Sequence, residues 1–502
     1  MTADKAARPA LLRSWREPVW RDRDYWPWLL VILGALLVVR LFVLYFATTD
    51  LFFDEAQYWW WSRDLAPGYF SKPPLIAWLI RLATEVCGDA EWCVRAPSPI
   101  LYTITCIVLF LAARALYDAR IGFWSAVVFA TLPAASFSSL VVSTDVPLIL
   151  FWTLAFYGWI RLIETNEMRF AALIGASIGL GLLAKYAAAY FVLCVAVDAW
   201  RDPRARDALR GGRGLVALAV ALLFIAPNLL WNANHGFATF SHTAENAGWK
   251  DILNLGSGLE FVGSQFAVFG PILFAVLVVV AWRAIRRGCE QPECRLLAFS
   301  VPVILLVVQA LLSRALANWA AAAYPAATIL VTAELLRHYP RLFRISLWLH
   351  LGAALVITVA PLFATRITAL TGPKWNPYAR VIGWHDLAAS TRSLAEAQGA
   401  KTVLADSREM TAELLYYLRD TALPVAIWFR EDVPRNHFEM TRAFTKASPD
   451  PVLYVTLSRT NSVRKRFDSA EVLGDQAFPT DTIAVREARF ILLKRYEGDN
   501  AK

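Results

Sequence analysis

Ionisable side chains are nearly missing from the middles of the long apolar runs, although 18% of the 502 residues are Asp, Glu, Lys or Arg. A transporter needs such groups near the bilayer midplane on interrupted helices, so that function class is disfavoured. Cysteine is scarce, with six in all. Cys87 and Cys93, in CGDAEWC, face an oxidising side in the topology derived below and are free to pair there. Cys289 and Cys294 face the cytosol and are expected to stay reduced, and they lack the nearby partners that a zinc site needs. No cleavable leader is visible. The first apolar run follows a basic, Trp-containing head (Arg13 to Trp28) and is long enough to span, so it is expected to remain as an anchor. Internal repeats and low-complexity segments are absent.

What is present is apolar. The chain is 57% hydrophobic with mean hydropathy +0.44, which at this length implies many membrane spans. Aromatics make up 13%, with 21 Trp, suiting interfacial belts and sugar-stacking surfaces alike. The net charge of +9 gathers between apolar runs, so it reports topology and not nucleic-acid binding. A span takes roughly 20 apolar residues. Candidate runs are 28–47, 98–116, 122–140, 146–162, 170–184, 187–200, 215–231, 261–282, 296–312, 319–336 and 345–363.

Those runs predict a polytopic α-helical membrane protein with about 11 transmembrane helices. Placing the N-terminus in the cytosol puts RALYDARIG, RLIETNEMR, RDPRARDALRGGRG, RAIRRGCEQPECR and RHYPRLFR inside, each arginine-bearing. The outer segments are then 48–97, 141–145, the turn at Lys185, 232–260, 313–318 and everything beyond about 364. The expected organisation is a cytosolic segment 1–27, a membrane domain 28–370 with its first outer loop at 48–97, and an α/β domain 371–502 on the outer face. In that last part KTVLADSREMTAELLYYLRD reads as a strand, a turn at Asp406–Ser407 and an amphipathic helix from Glu409. PVAIWF, PVLYVTL and RFILLKRY read as further strands.

The chemistry-bearing residues fall on one side. Asp54 and Glu55 follow the first span, and Lys72 sits in YFSKPPL, where Pro73 and Pro74 restrict the backbone. Asp145 stands at the outer mouth of a span, Lys185 and Tyr186 at the break between two short ones, Asn232 and His235 in LLWNANHGF, and Arg314, Asn318 and Trp319 in SRALANW. Tyr58, Trp59 and Tyr69 are the nearby aromatics. A sugar carried on a lipid phosphate needs such a set. A cation meets the departing phosphate, a carboxylate activates the acceptor hydroxyl, and aromatic walls hold the ring.

The stretches FFDEAQYWWWSRDL, GYFSKPPLIAWLI, STDVPLILFWTLAFY, GLGLLAKYAAAYF, APNLLWNANHGF and ANWAAAAYP resemble the GT-C class of polyprenyl-phosphate-sugar glycosyltransferases. That class takes in relatives of protein O-mannosyltransferases, lipid A aminoarabinose transferases and rhizobial lipopolysaccharide galacturonosyltransferases, annotated in families 39 and 83. The resemblance covers roughly 48–325 and continues weakly through NPYARVIGWHDLA and ADSREMTAELLYYLR. It implies a GT-C fold and an inverting glycosyltransferase of the bacterial inner membrane, with its site facing the periplasm. The donor implied is a polyprenyl-phosphate-linked sugar and the acceptor a lipid-anchored glycan, lipid A or lipopolysaccharide core, with membrane lipids and no nucleic acid as partners.

Asp54 resembles the catalytic carboxylate, Glu55 its acidic neighbour, Asp145 a second acid, and Lys72 the phosphate-binding lysine. Lys185 and Arg314 are further candidates for the phosphate, and Tyr58, Trp59, Tyr69, Tyr186, Asn232, His235, Asn318 and Trp319 for the rest of the substrate. Aminoarabinose transferases carry a metal-associated acid just before the Lys-Pro, where this chain has Ser71. A divalent metal therefore stays open, with His235 and Asp145 as available ligands. Transfer to protein hydroxyls, or flipping of a lipid-linked sugar, are the alternative functions.

Overall fold

The computed structural model describes residues 22–248, 253–371, 377–431, 433–459, 462–480 and 485–498. Most of the expected cytosolic segment 1–27 therefore lies outside the described residues, as does 372–376 at the expected domain boundary. Among the described residues seven helices are long and apolar enough to cross a bilayer: Tyr25–Phe46, Glu91–Leu116, Asp145–Thr165, Arg213–Asn234, Glu293–Leu312, Ala317–His338 and Pro340–Ile367. Leu255–Val268 and Pro271–Arg287 form an eighth if counted as one broken span. Shorter helices, Ala119–Thr131, Met168–Ala184 and Tyr190–Arg201, occupy the other expected positions.

Two expected spans differ in form. The run 122–140 stops at Thr131 because Pro133 cannot continue a helix and starts the short turn Pro133–Ser138 instead. The run 261–282 bends by 118° where Gly270, at φ 97°, precedes Pro271. Elsewhere small residues let backbones approach. A Cβ at Gly179 would meet Phe224 Cβ at 2.6 Å and the Ala221 carbonyl at 3.0 Å, so Met168–Ala184 lies directly on Arg213–Asn234. Large apolar side chains such as Val38, Leu223, Leu230, Trp348 and Val356 stay exposed on the bundle, as a lipid-facing surface requires.

Buried charge inside the bundle is hydrogen-bonded. Arg40, the charged side chain of the first span, donates through Nη2 to the Ala130 carbonyl at 2.7 Å, while its buried Nε has no partner among the described residues. Arg295 bridges Asp198 at 2.8 Å and Asp202 at 2.7 Å, and the Trp159 indole also donates to Asp198. That trio is about 21 Å along the helix axis from Asp145, so each end of the bundle has its own polar cluster. Cys87 is bonded to Cys93, tying Leu75–Cys87 to Glu91–Arg95. Cys289 and Cys294 are bonded too, contrary to expectation, because a tight turn brings their Cα atoms to 5.4 Å.

The α/β domain is a five-stranded sheet in the order β2-β1-β3-β5-β4, with β1 Thr402–Ala405, β2 Val425–Ile427, β3 Val452–Thr456, β4 Phe467–Pro479 and β5 Val485–Tyr496. β1 pairs in parallel with β2 and β3, while β5 runs antiparallel to both β3 and β4. The β4 strand was not foreseen, because most of its residues are polar or half-exposed and carry no buried run. The helix Arg408–Tyr417 starts where Ser407 Oγ accepts from the Met410 amide at 3.2 Å, one residue before the expected Glu409. This domain is not a detached appendage. One core holds Tyr58, Trp59, Trp61, Tyr69 and Ile80 of the first loop together with Trp384, Leu387, Met410, Leu414, Tyr416 and Phe490 of the sheet domain.

Candidate active site

The helix Phe53–Arg63 begins beside an extended Phe52 and carries both acids in its first turn. Adjacent helix residues diverge by about 100°, so one acid turns inward when its neighbour turns outward. Glu55 turns inward. Its carboxylate receives Arg95 Nε at 3.1 Å and Nη2 at 2.7 Å, the Phe52 amide at 2.9 Å and the Val142 amide at 2.8 Å. Arg95 also donates to Thr49 and to the Asp50 carbonyl. No oxygen of Glu55 is left for substrate, so its expected catalytic place is corrected to an anchoring one. Through Val142 it pins the first loop to the segment that ends at Asp145.

Asp54 turns outward. Its Oδ1 accepts from Arg408 Nη1 at 2.9 Å, while Oδ2 has no partner among the described residues. Arg408 belongs to the α/β domain; it also donates to Gln57 at 3.2 Å and lies 4.7 Å over the Phe53 ring. Asp145 is satisfied differently, with Oδ1 on Lys185 at 2.6 Å and Oδ2 on the Asn318 amide at 2.7 Å. Lys72 completes the cluster. Burial, then the charge of Lys185, push its amine below the ordinary lysine range, against the pull of Asp54 and Asp145. Among the described residues this amine has no ion-pair partner. The loop that carries it is fixed by Tyr69, whose amide donates to the Lys72 carbonyl at 3.2 Å, and by Pro67, whose carbonyl accepts from Asn228.

The remaining candidates divide. Tyr58 is buried, and burial and then the Asp54 charge raise its phenol well above the ordinary value. Trp59 turns away from the cluster, with its indole on Asp89 at 2.7 Å and its ring edge-on to Tyr416. Tyr69 is buried, stacked on Trp61 at 4.6 Å, with its hydroxyl on the Trp61 and Asp64 carbonyls. Tyr186 bonds Asn228 and Asn232, and Asn232 receives the Thr239 amide, so this group shapes the start of the 232–260 segment. His235 is exposed, stacked on Trp231, with Nδ1 on that residue's carbonyl. Trp319 packs on the bundle core. Arg314 is exposed and joins no bond to the cluster among the described residues.

Two site residues escaped the sequence reading, Arg408 and His242. Burial and then Lys72 lower the imidazole pKa of His242, which also faces the Phe70 ring at 5.8 Å. Its loop holds two histidines, and only helix phase tells which one faces the lysine. The open question of a metal has a geometric answer: among the described residues no three His, Cys, Asp or Glu side chains come together. Both Asp145 oxygens are occupied and His235 points elsewhere, so the residues proposed as ligands do not make a set, and no step below uses one.

Residues 71–231 match the family model described as dolichyl-phosphate-mannose-protein mannosyltransferase. The chain is 35% identical to the lipid A galacturonosyltransferase RgtD of Rhizobium johnstonii over 85% of its own length and 90% of that protein's. It is 26% identical to the lipopolysaccharide core galacturonosyltransferase RgtB of the same organism, over 56% of this chain and 60% of the other. The crystal structure of ArnT from Cupriavidus metallidurans bound to undecaprenyl phosphate superposes with a TM-score of 0.68 at 15% identity, covering 93% of this chain and 98% of that one. A multi-pass helical bundle of this fold, with this degree of likeness along nearly its whole length, belongs to the GT-C glycosyltransferase family that includes the rhizobial lipid A and core galacturonosyltransferases.

Proposed function

We propose that the protein moves a sugar from a polyprenyl phosphate to a hydroxyl of lipid A or the lipopolysaccharide core, with inversion, at the periplasmic face of the inner membrane. The observation that carries this reading is a carboxylate oxygen on Asp54 that has no partner among the described residues, in the same charged cluster as the Lys72 amine, which has no ion-pair partner among them either. The acceptor oxygen attacks the anomeric carbon while Asp54 Oδ2 takes its proton. The bond from that carbon to the phosphate oxygen breaks, and its electron pair leaves with the lipid phosphate. Lys72 meets the charge that develops there, aided by Lys185, which Asp145 holds in place. A single displacement inverts the centre. The names of the relatives support a lipid A or core acceptor, and an ArnT chain of the same fold was solved with undecaprenyl phosphate. Orientation rests on the arginine-bearing loops, which gather at the end away from this cluster.

Asp54→Asn tests it directly. With a polyprenyl-phosphate sugar and lipid A supplied to purified enzyme, turnover is expected to fall by about 10²- to 10⁴-fold while the protein stays folded. Full retained turnover removes Asp54 from the mechanism. Unaltered lipid A and core glycans in cells lacking the protein would count against the acceptor assignment.

A further inference from the structure

Two cysteine pairs are bonded, and the orientation proposed above puts them on opposite faces of the membrane. Cys87–Cys93 shares the outer side with the charged cluster. Cys289–Cys294 closes the turn that follows Pro271–Arg287, among the arginine-bearing loops of the cytosolic end, where protein thiols are ordinarily kept reduced. The free cysteines Cys106 and Cys194 are buried in the bundle, out of reach of reagents in water.

The surroundings of the inner pair suit reactivity. Arg201, the last residue of Tyr190–Arg201, sets Nη2 3.7 Å from Cys289 Sγ and 3.9 Å from Cys294 Sγ. Among the described residues this guanidinium has no carboxylate partner, and the nearby Asp198 and Asp202 are bonded to Arg295. A neutral disulfide gives such a cation little, whereas a thiolate pairs with it. Arg286 and Arg287, both exposed, stand just before Cys289, and Glu290 and Glu293 are the opposing charges on the turn. Cys289 is half-buried, so a small oxidant reaches its sulfur, while Cys294 is only 8% exposed. Cys294 Sγ also lies 2.8 Å from the Cys289 carbonyl, an acceptor that only the reduced thiol can use. An accessible sulfur in a cationic setting, with a second cysteine placed to trap it, has the make-up of a redox-responsive pair.

We propose that Cys289 and Cys294 form a reversible redox site on the cytosolic face, oxidised by hydroperoxides and reset by dithiols, with Arg201 holding Cys289 as the thiolate. This rests on the orientation given above and not on the transfer reaction. The Cys289 thiolate attacks a hydroperoxide oxygen, the O–O bond breaks, and the departing oxygen takes a proton to leave as water or an alcohol. Cys294 then attacks the resulting sulfenic acid. The S–O bond breaks, the S–S bond forms, and the hydroxide leaves as water with the Cys294 proton. An external dithiol returns two electrons and two protons and itself becomes a disulfide. Oxidation thus removes the negative sulfur from beneath Arg201.

The test uses the full chain in inverted and in right-side-out membrane vesicles, reduced with dithiothreitol, freed of it and then given hydrogen peroxide. A membrane-impermeant maleimide reports free thiols, and peptide mapping assigns them. In inverted vesicles Cys289 should label after reduction, lose that labelling to a bond with Cys294 after peroxide, and regain it with dithiothreitol. Cys294→Ser should instead accumulate a Cys289 sulfenic acid that dimedone traps. Arg201→Gln should slow oxidation at neutral pH by about 10-fold, as the thiolate fraction falls toward that of a free cysteine. Arg201→Lys, which keeps the charge, should restore most of the rate. Oxidation as fast in Arg201→Gln as in wild type overturns the proposal, and so does a Cys289 that meets peroxide no faster than glutathione does. Labelling of the pair only in right-side-out vesicles sinks the orientation instead. Elution of each variant identifies one that misfolds; if Cys294→Ser does, the loss and return of label in wild type decide.

Discussion

Asp54 and Glu55 differ by one methylene and one sequence position, yet their surroundings give them unrelated tasks. Glu55 is buried against Arg95, so Glu55→Gln leaves a buried guanidinium without its counter-ion. Such a loss costs about 3–5 kcal/mol, and the variant should lose folded yield and thermal stability before any kinetics can be read. Asp54→Asn, at a half-exposed pair, should leave stability nearly unchanged, so the two substitutions separate anchor from base. Lys72 makes a pH-dependent prediction. Its depressed pKa means that the charged, phosphate-binding form is lost at a lower pH than for an ordinary lysine. The alkaline limb of kcat/KM should therefore lie below the usual lysine range, and Lys72→Arg should move it upward. The sequence made both acids visible as a pair beside a lysine. The resemblance singled out Asp54 of the two, but the local pattern did not show that Glu55 turns inward, because helix phase depends on where Phe52 ends the extended segment.

The helix Arg408–Tyr417 is the element that joins the two parts of the molecule. Tyr417 accepts from the Leu51 amide at 2.9 Å, Tyr416 donates to the Asp89 carbonyl at 2.6 Å, and Arg408 holds Asp54. Inside this joint Glu413 is buried, with no partner for either oxygen among the described residues. Burial, then the nearby Asp50 charge, raise its pKa well above the ordinary carboxylate value, with Arg486 opposing. A raised folded pKa means that unfolding releases a proton, so stability is greatest below the ordinary carboxylate range and is lost as pH rises through the folded value. The unfolding temperature in detergent should decline as pH rises above the ordinary carboxylate range, and Glu413→Gln should flatten that decline. The helix itself was legible from the turn at Asp406–Ser407 and its amphipathic spacing. Its contact with the loop was not, because nothing in a local pattern says what a distant apolar face will meet.

For the whole molecule, hydropathy and arginine placement revealed the bundle, and motif spacing brought Asp54, Lys72, Asp145, Lys185 and Asn318 onto one side before any coordinates. The missed features share one origin. The bend at Gly270, where a Cβ would collide with His350 Nε2, the Glu55–Arg95 pair and the reach of Arg408 all involve contacts between segments far apart in sequence. A chain ended at Thr371 should therefore lose transfer altogether, not merely alter its choice of acceptor. The exposed first loop should become sensitive to protease in membrane vesicles. The shared core also sets a timetable. The loop that bears Asp54 leaves the ribosome long before Arg408, 354 positions later, has been synthesised. Until then its tryptophans have no cover, so biogenesis must shelter an unfinished catalytic face through most of translation.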